Sequence, residues 1–201
     1  MPTSLHEDRL NIVVDALQAQ GARRGLDLGC GTGPLLLALA AKPFFEQIVG
    51  LDISRKALEA CGRNLARDGI ALDHRVQILN DTFAEANPRF QGYDAAVLLE
   101  TIEHIPPDRL SKVERAVFSG FRPSFVLITT PNQECNELLG VPGHRLRHPE
   151  HEFEWDRAKF EAWATGLARR NGYAVGFAGI GPAHPVLGSP SQMAAFTQAD
   201  A

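Results

Sequence analysis

The sequence predicts one α/β domain, in which helices cover both faces of a seven-stranded, mostly parallel sheet. Three observations lead to this prediction. Short apolar runs alternate with amphipathic stretches of helical spacing, polar residues follow several of those runs, and a Gly/Pro-rich loop joins the last two. The 201 residues, 44% of them hydrophobic, suffice for a single core. We therefore expect one domain over residues 1–201, with an antiparallel strand at the end of the chain.

Composition and charge exclude several classes of protein. A formal charge of −4 and a pI near 6 argue against a surface that coats nucleic acid, although recognition of one strand end needs few phosphate contacts. The three cysteines, without any C-x-x-C, are typical of reduced thiols. The chain has neither a secretory leader pattern nor an apolar run of about 18 residues. We expect a cytoplasmic monomer that does not bind membranes.

The first predicted element is an amphipathic helix over residues 5–20. Its apolar residues recur at helical spacing, and Gly21 follows as a helix end. We expect this segment, residues 1–22, to cover one edge of the sheet.

A glycine-rich turn follows the first predicted strand, within residues 23–34. Glycine is required where the backbone passes close to a ligand or takes a positive φ, so Gly29, Gly31 and Gly33 indicate a loop pressed against a bound molecule. Asp27, at the strand end, would repel the pyrophosphate of a dinucleotide. The same acid suits a cationic ligand without phosphates, such as S-adenosylmethionine.

The next elements complete the expected cofactor site. Asp52 ends a strand about twenty residues after the glycine loop, where an acid can accept both ribose hydroxyls of a nucleoside. Residues 80–82 are placed to meet the adenine, although Asp52 and Asp81 would also suit local caps. The predicted elements are a helix over 35–41, a strand over 45–51, a helix over 54–67 capped by Ser54, and a strand over 76–79. The predicted cofactor-binding residues are Asp27, Gly29, Cys30, Gly31, Gly33, Asp52, Ile53, Asp81 and Thr82.

The glycine loop, its leading acid and the spacing to Asp52 resemble one superfamily. Residues 24–130 look like a class I, Rossmann-like S-adenosylmethionine-dependent methyltransferase. The resemblance implies a cofactor-binding core over residues 23–130. It leaves the methyl acceptor open.

An E-x-x-E-H motif follows the fourth predicted strand, residues 93–99. If the chain turns helically there, Glu100, Glu103 and His104 share one face at the carboxyl edge of the sheet. Two carboxylates and an imidazole at such an edge can bind a divalent cation. Glutamates also suit the first turn of a helix, so the motif alone leaves both interpretations open.

The remaining chain brings further polar groups to the same edge. Residues 130–136 leave the fifth strand beside Glu100, and we expect this loop to face the acceptor. Residues 144–151 concentrate three histidines and two arginines. We assign residues 131–155 to a metal and acceptor segment and 156–201 to the C-terminal helix and strands. The predicted elements are a helix over 108–118, a strand over 125–129, a helix over 156–170, and strands over 173–180 and 192–196.

A metal site at the E-x-x-E-H motif needs at least one more protein ligand. His151 precedes Phe153 and Trp155, which could pin it against the core, whereas His144 and His148 lie beside arginines. A lone histidine before a helix is usually structural, so the pattern alone does not select His151.

Several motifs together resemble the Hen-type small-RNA 3′-terminal 2′-O-methyltransferases. They are E-T-I-E-H ending at His104, T-T-P-N at 129–132, L-R-H-P-E-H with E-F-E-W at 146–155, and S-Q-M-A-A-F at 191–196. In that family the two glutamates, the adjacent histidine and the histidine of H-x-F-E-W bind a divalent ion. The resemblance therefore implies that Glu100, Glu103, His104 and His151 are the metal-binding and catalytic residues. Cys135 departs from the family pattern, which usually has an aromatic residue there.

The resemblance also implies the reaction. A methyl group would pass from S-adenosylmethionine to the 2′-hydroxyl of the 3′-terminal nucleotide of an RNA with free 2′- and 3′-hydroxyls, which can chelate one cation. Two imidazoles and two carboxylates suit Mn²⁺ better than Mg²⁺. Proteins of an RNA repair or small-RNA pathway are the implied partners. The candidate RNA-binding residues are Asn132, Arg145, Arg147 and His148.

Two alternatives remain open at this point. A small molecule with vicinal hydroxyls could replace RNA as the acceptor, or the chain could be a non-catalytic module that binds RNA ends. The arginines at 145 and 147 could equally form an exposed basic turn. Either His104 or His151 could accept the proton from the hydroxyl.

Overall fold

The computed structural model describes residues 4–199, so the predicted segments 1–22 and 156–201 extend slightly beyond the described residues. Seven strands form one sheet, in the order β3-β2-β1-β4-β5-β7-β6. The strands are β1 (Arg24–Leu28), β2 (Gln47–Asp52), β3 (Val76–Asn80), β4 (Ala95–Leu99), β5 (Phe125–Pro131), β6 (Tyr173–Ile180) and β7 (Ser191–Gln198).

The five α-helices are amphipathic or short, and they cover both faces of the sheet. They are α1 (Ser4–Ala19), α2 (Pro34–Ala40), α3 (Arg55–Arg67), α4 (Leu110–Glu114) and α5 (Arg157–Asn171). Ser54 caps α3 by accepting a hydrogen bond from the Ala57 N–H, as its sequence position predicts. None of the helices within residues 4–199 is long and apolar enough to cross a membrane.

Alternating side chains of the central strands build two separate cores. In β4, Ala95 and Val97 pack with α1, α2 and α3, whereas Ala96 and Leu98 pack with α4 and α5. Because both of its faces are covered, β4 is apolar throughout, as expected for a central strand of a parallel sheet. The predicted fold class is therefore confirmed.

The antiparallel strand is β7, the last in the chain. It pairs antiparallel with both β5 and β6, and it lies between them. Its register places Ser191 opposite Pro131, at the carboxyl end of β5. The start of β7 therefore lies at the same sheet edge as Glu100.

The predicted helix over 108–118 differs from the structure. The α-helical part is only α4, and the chain continues from Arg115 to Phe121 as a π-helix. The Arg122 N–H donates to the Val117 carbonyl, five residues earlier, as the wider turn requires. Apolar periodicity does not distinguish the two kinds of turn.

Candidate active site

The glycine loop between β1 and α2 has the backbone that its sequence predicts. Gly29, Gly31 and Gly33 have φ values of 84°, 55° and 85°, in the region that favours glycine. A Cβ atom at Gly29 would lie 2.6 Å from Thr101 Cγ2, and one at Gly33 would overlap Cys61 Sγ. The loop is therefore held close against the β4 edge and α3, which only glycine permits.

Two carboxylates lie at the carboxyl ends of β1 and β2. Asp52 accepts hydrogen bonds from the N–H groups of Gly31 (2.9 Å) and Ser54 (2.8 Å). Asp27 is 3% exposed, and its Oδ2 has no hydrogen-bond partner among residues 4–199. Burial, together with the nearby charge of Asp52, raises the pKa of Asp27 to about 7. A cationic ligand would stabilise its ionised form.

Seven of the nine predicted cofactor-binding residues line two adjoining cavities, and the other two, Gly33 and Asp81, line neither. The larger cavity, of 790 Å³, is lined by Gly29, Gly31, Asp52, Ile53 and Thr82. The other, of 680 Å³, is lined by Asp27, Cys30, Gly29 and Gly31. Asp81 lies beside them, where its carboxylate accepts from the Thr82 N–H and the Asn87 amide.

Three of the four predicted metal ligands come together. One ligand atom each of Glu103, His104 and His151 lies within 4.8 Å of the other two. Glu103 and His104 belong to a short 3₁₀ turn after β4, and His151 comes from the loop before α5. The Glu152 N–H donates to the Glu103 carbonyl at 2.7 Å, which joins the two segments.

The hydrogen bonds of the two histidines leave the same ring atom available. His104 Nδ1 lies 3.1 Å from the Glu150 carbonyl oxygen, and His151 Nδ1 lies 2.5 Å from Glu154 Oε1. Since both partners are acceptors, Nδ1 carries the proton and Nε2 keeps its lone pair in each neutral ring. Burial, with the nearby His151, lowers the pKa of His104, which favours the neutral form. Two Nε2 atoms are therefore ready to bind a metal ion.

Glu103 supplies an oxygen that the protein leaves without a partner. Glu103 is fully buried, and the Thr130 hydroxyl donates to Glu103 Oε2 at 3.0 Å. Its Oε1 has no hydrogen-bond partner within residues 4–199. Burial, with the charge of Glu100, raises the pKa of Glu103 well above its usual value. Because a buried carboxylate oxygen needs a partner, a divalent cation fits this set of donors.

Glu100 lies at the same edge but outside the three-residue cluster. Its φ is 50°, uncommon for a residue with a side chain, and its N–H donates to Thr129. Its Oε2 pairs with Arg9 Nη2 at 3.0 Å, while its Oε1 is buried without a partner in the described part of the chain. Glu100 lines both cavities, together with His104.

A second layer of polar groups holds His151 in place. Glu154 is 5% exposed and accepts from the His151 ring, the Arg147 N–H (2.7 Å) and the Asn136 amide (2.6 Å). Although burial opposes ionisation, these hydrogen bonds hold the pKa of Glu154 below its usual value. A carboxylate that accepts from a metal-binding histidine fixes the orientation of the ring.

Two of the four candidate RNA-binding residues, Asn132 and Arg147, have a structural role. Asn132 is fully buried, and its amide donates to the carbonyls of Leu187 and Ser189. The Arg147 guanidinium donates to the Asn136 side chain and to the carbonyls of Pro190 and Asn132. Inward hydrogen bonds thus engage both side chains, and Arg147 also lines the cavity that contains His104 and His151, so RNA binding by these two residues stays a prediction.

The segment at the end of β5 is more buried than its polar sequence suggests. Thr130, Asn132 and Cys135 are buried and fasten the fold, whereas Pro131 lines the cavity that contains His104 and His151. Cys135 packs against the carbonyls of Leu187 and Gly188. Polarity in the sequence does not distinguish a polar group that meets a ligand from one that meets a carbonyl.

The other two RNA-binding candidates, Arg145 and His148, are exposed. The ring of His148 lies 6.0 Å from that of His104 and 5.6 Å from that of His151, between centroids. Its Nδ1 accepts from the Glu150 N–H, so in the neutral ring Nε2 carries the proton and is left as a donor. RNA binding by this pair stays a prediction.

Three site residues escaped the sequence reasoning: Arg9, Thr130 and Glu154. The E of H-x-F-E-W was a usable signal for Glu154, three residues after His151. Thr130 stands in the predicted acceptor loop. For Arg9, 91 residues before Glu100, no local pattern indicates the contact.

Comparison with known proteins assigns the family. Residues 26–124 match the sequence model of a family described as a methyltransferase domain. The methyltransferase domain of bacterial CtHen1, a solved structure, is 39% identical; the alignment covers 98% of this chain and 100% of that one, with a TM-score of 0.87. The chain belongs to the Hen1 methyltransferase family. The structure of small RNA methyltransferase HEN1 also superposes on this Hen1-family chain, with 29% identity, 97% and 25% coverage, and a TM-score of 0.87.

Curated relatives of this Hen1-family chain carry a more specific name. The small RNA 2′-O-methyltransferase of Rattus norvegicus is 34% identical over 186 residues, which is 88% of this chain and 46% of the relative. The corresponding protein of Gallus gallus is 35% identical, over 88% of this chain and 48% of the relative. The chain thus spans about half the length of the curated relatives that it matches.

Proposed function

We propose that this chain transfers a methyl group from S-adenosylmethionine to the 2′-hydroxyl of the 3′-terminal nucleotide of RNA, with a divalent ion held by Glu100, Glu103, His104 and His151. The observation that carries the proposal is the meeting of the two cavities. The glycine-loop cavity and the cavity beside the ligand cluster share Gly29, Gly31, Glu100 and His104. A cofactor and an acceptor bound on the two sides would therefore lie in contact. The names of the relatives support RNA as the acceptor.

The cofactor side has the groups that S-adenosylmethionine needs. Asp52 would accept the ribose hydroxyls, in place of part of its present bonding to Gly31 and Ser54. Asp27 would be ionised by the nearby ammonium and sulfonium charges, because its burial otherwise favours the neutral acid. The glycine loop lets the cofactor approach the backbone of β1.

The acceptor side is arranged for a metal ion with nitrogen and oxygen ligands. A bound Mn²⁺ or Mg²⁺ would act as a Lewis acid that lowers the pKa of the ribose hydroxyl and orients it. His104 and His151 offer Nε2, and Glu103 offers the unpaired Oε1. Two imidazoles favour Mn²⁺ over Mg²⁺, which prefers oxygen ligands. These side chains would thereby place the hydroxyl in line with the methyl group, and positioning accounts for much of the acceleration.

Recognition of the RNA end falls to the polar groups beside the cluster. Arg145 and the Nε2–H of His148 are suited to the terminal phosphates. Few such contacts are consistent with the net charge of −4, because an end-binding site needs little basic surface. Partner proteins of an RNA repair or small-RNA pathway would supply the remaining contacts with long RNA.

The test uses labelled S-adenosylmethionine, the purified chain and a short RNA, with and without Mn²⁺. We expect metal-dependent labelling of the 2′-oxygen of the last nucleotide. RNA that carries a 3′-phosphate or a 2′-O-methyl group should stay unlabelled, because it lacks the free diol. Labelling of a small catechol-like diol but not of RNA would contradict the proposal.

A pair of histidine variants separates the metal cluster from the basic loop. His151→Ala removes one predicted ligand, and we expect loss of labelling and of Mn²⁺ binding. His144→Ala is the matched control, because His144 is exposed in the same segment and outside the cluster. Full activity of His151→Ala would refute the metal-dependent reaction.

A further inference from the structure

We propose that Arg9 forms an ion pair with Glu100 in the metal-free protein. Glu100 must leave Arg9 and turn to the divalent ion before all four ligands can bind that ion. Arg9 then sets the metal affinity of the site from a helix that supplies no ligand. The inference rests on the proposed function, because it requires a metal ion at Glu100, Glu103, His104 and His151.

Arg9 is fixed at both ends of its guanidinium. Nη2 pairs with Glu100 Oε2 at 3.0 Å, and Nε donates to Ser191 Oγ at 2.8 Å. Ser191 is fully buried in β7, while the side chains of Arg9 and Glu100 are 14% and 19% exposed. This ion pair is more enclosed than an ordinary surface pair, so it holds one geometry well. Helix α1, strand β7 and the end of β4 are joined through a single side chain.

The ion pair with Arg9 explains why Glu100 lies outside the cluster of Glu103, His104 and His151. Glu103, His104 and His151 lie within ligand distance of one another, whereas Glu100 is not part of that group among residues 4–199. The backbone of Glu100 is anchored, since its N–H donates to both oxygens of Thr129 at 3.2 and 3.0 Å. The exchange therefore takes place by rotation of the Glu100 side chain, with its backbone in place.

Charge gives the exchange its direction. Glu103 is buried and Glu100 is half-buried at the same edge, and each keeps one buried oxygen without a partner within residues 4–199. Arg9 places one positive charge beside Glu100. A divalent ion would place two positive charges between Glu100 and Glu103, and would therefore interact with both acids. When a binding-competent state is a minor one, the apparent dissociation constant rises by the inverse of its population. The ion pair between Arg9 and Glu100 thus weakens metal binding.

The experiment measures Mn²⁺ binding by isothermal titration calorimetry, without RNA or cofactor. Arg9→Gln removes the competing cation, and we expect the dissociation constant to fall by about tenfold, the effect of raising a competent fraction from about a tenth to nearly one. Arg9→Lys keeps the charge and should stay close to wild type. If Arg9→Gln does not fold, Arg9→Met removes the same charge and should show the same tenfold fall. Arg170→Gln is the matched control, because it breaks a distant ion pair with Glu114 at 2.8 Å.

A double-mutant cycle with Glu100→Gln tests whether Arg9 acts through Glu100. If it does, Arg9→Gln changes the Mn²⁺ affinity of wild type but not that of Glu100→Gln. An equal effect in both backgrounds would mean simple repulsion between Arg9 and the ion, and would overturn the exchange. Unchanged or weaker Mn²⁺ binding by Arg9→Gln would overturn it too. Wild-type protein that binds no Mn²⁺ would instead refute the metal site of the proposed function, and the exchange with it.

Discussion

The role of Glu154 can be tested by the substitution Glu154→Gln. In this variant the remaining side-chain carbonyl can still accept from the His151 ring and the Arg147 N–H, which share Glu154 Oε1. The new NH₂ group then faces the Asn136 NH₂, which donates to Glu154 Oε2. Turning the Asn136 amide around would break its bond from Arg147 Nε. The variant therefore keeps one buried donor without an acceptor and loses the charge that orients His151.

The magnitude follows from these contacts. Loss of a hydrogen bond to a buried charged group costs about 2 kcal/mol of unfolding free energy. For a chain of this size, that lowers the Tm by about 4–8 °C. Because Glu154 orients a predicted metal ligand, we also expect Mn²⁺ affinity to fall by about 10- to 100-fold, the usual effect of removing such a partner.

Two measurements on the same samples separate the two effects. Thermal unfolding reports the stability, and titration calorimetry reports the Mn²⁺ affinity at a temperature well below unfolding. Glu114→Gln is the control, because Glu114 also accepts from an arginine and an asparagine, Arg170 and Asn171, far from the cluster. It should lose stability and keep its Mn²⁺ affinity. Wild-type affinity in Glu154→Gln would refute the positioning role.

Three further predictions concern the cofactor site and the basic loop. The folded protein keeps a proton on Asp27 up to about pH 7, whereas the unfolded chain releases this proton near pH 4. As the pH rises from about 4 to about 7, the unfolding free energy of the wild type should therefore fall by about 1.4 kcal/mol per pH unit relative to that of Asp27→Asn. Urea titrations at pH 5, 6 and 7 check this, and parallel profiles would contradict it. Gly29→Ala should lose about 1–3 kcal/mol of stability, and cofactor affinity in calorimetry, because of its φ of 84° and its contact with Thr101. Arg147→Gln should lower the Tm, because it removes the bond to the Pro190 carbonyl. Arg145→Gln, at an exposed residue, should leave the Tm unchanged and weaken RNA binding in a filter assay. Equal Tm values for the two variants would contradict the structural role of Arg147.

The parts of the site that the sequence predicts are those with a local signal. The glycine loop needs positive φ at fixed positions, and the E-x-x-E-H motif follows an apolar strand, so both are recognisable within a few residues. His151 was selected by family resemblance, and the structure places it beside Glu103 and His104. The strands themselves follow from the same apolar runs.

The parts that the sequence did not predict depend on contacts between distant segments. Asn132 and Arg147 are polar and lie in loops, yet both bond to the carbonyls of residues 187–190. Which acceptor a polar group meets depends on how β7 and its preceding loop pack, and no local pattern encodes that. The same reason hides the contact of Arg9 with Glu100 and Ser191.

The position of β7 bears on how the protein is made by the ribosome. Ser191 and Gln192 begin this strand, and they bond to Arg9 and to the carbonyls of Pro131 and Trp155, while the Pro190 carbonyl receives Arg147. Strands β1 to β5 can pair with one another before these residues emerge, but within residues 4–199 β6 has only β7 as its neighbour. The nascent chain thus has an early route to the part of the sheet that carries the glycine loop, and the segment that carries His151 is fastened only once β7 inserts between β5 and β6.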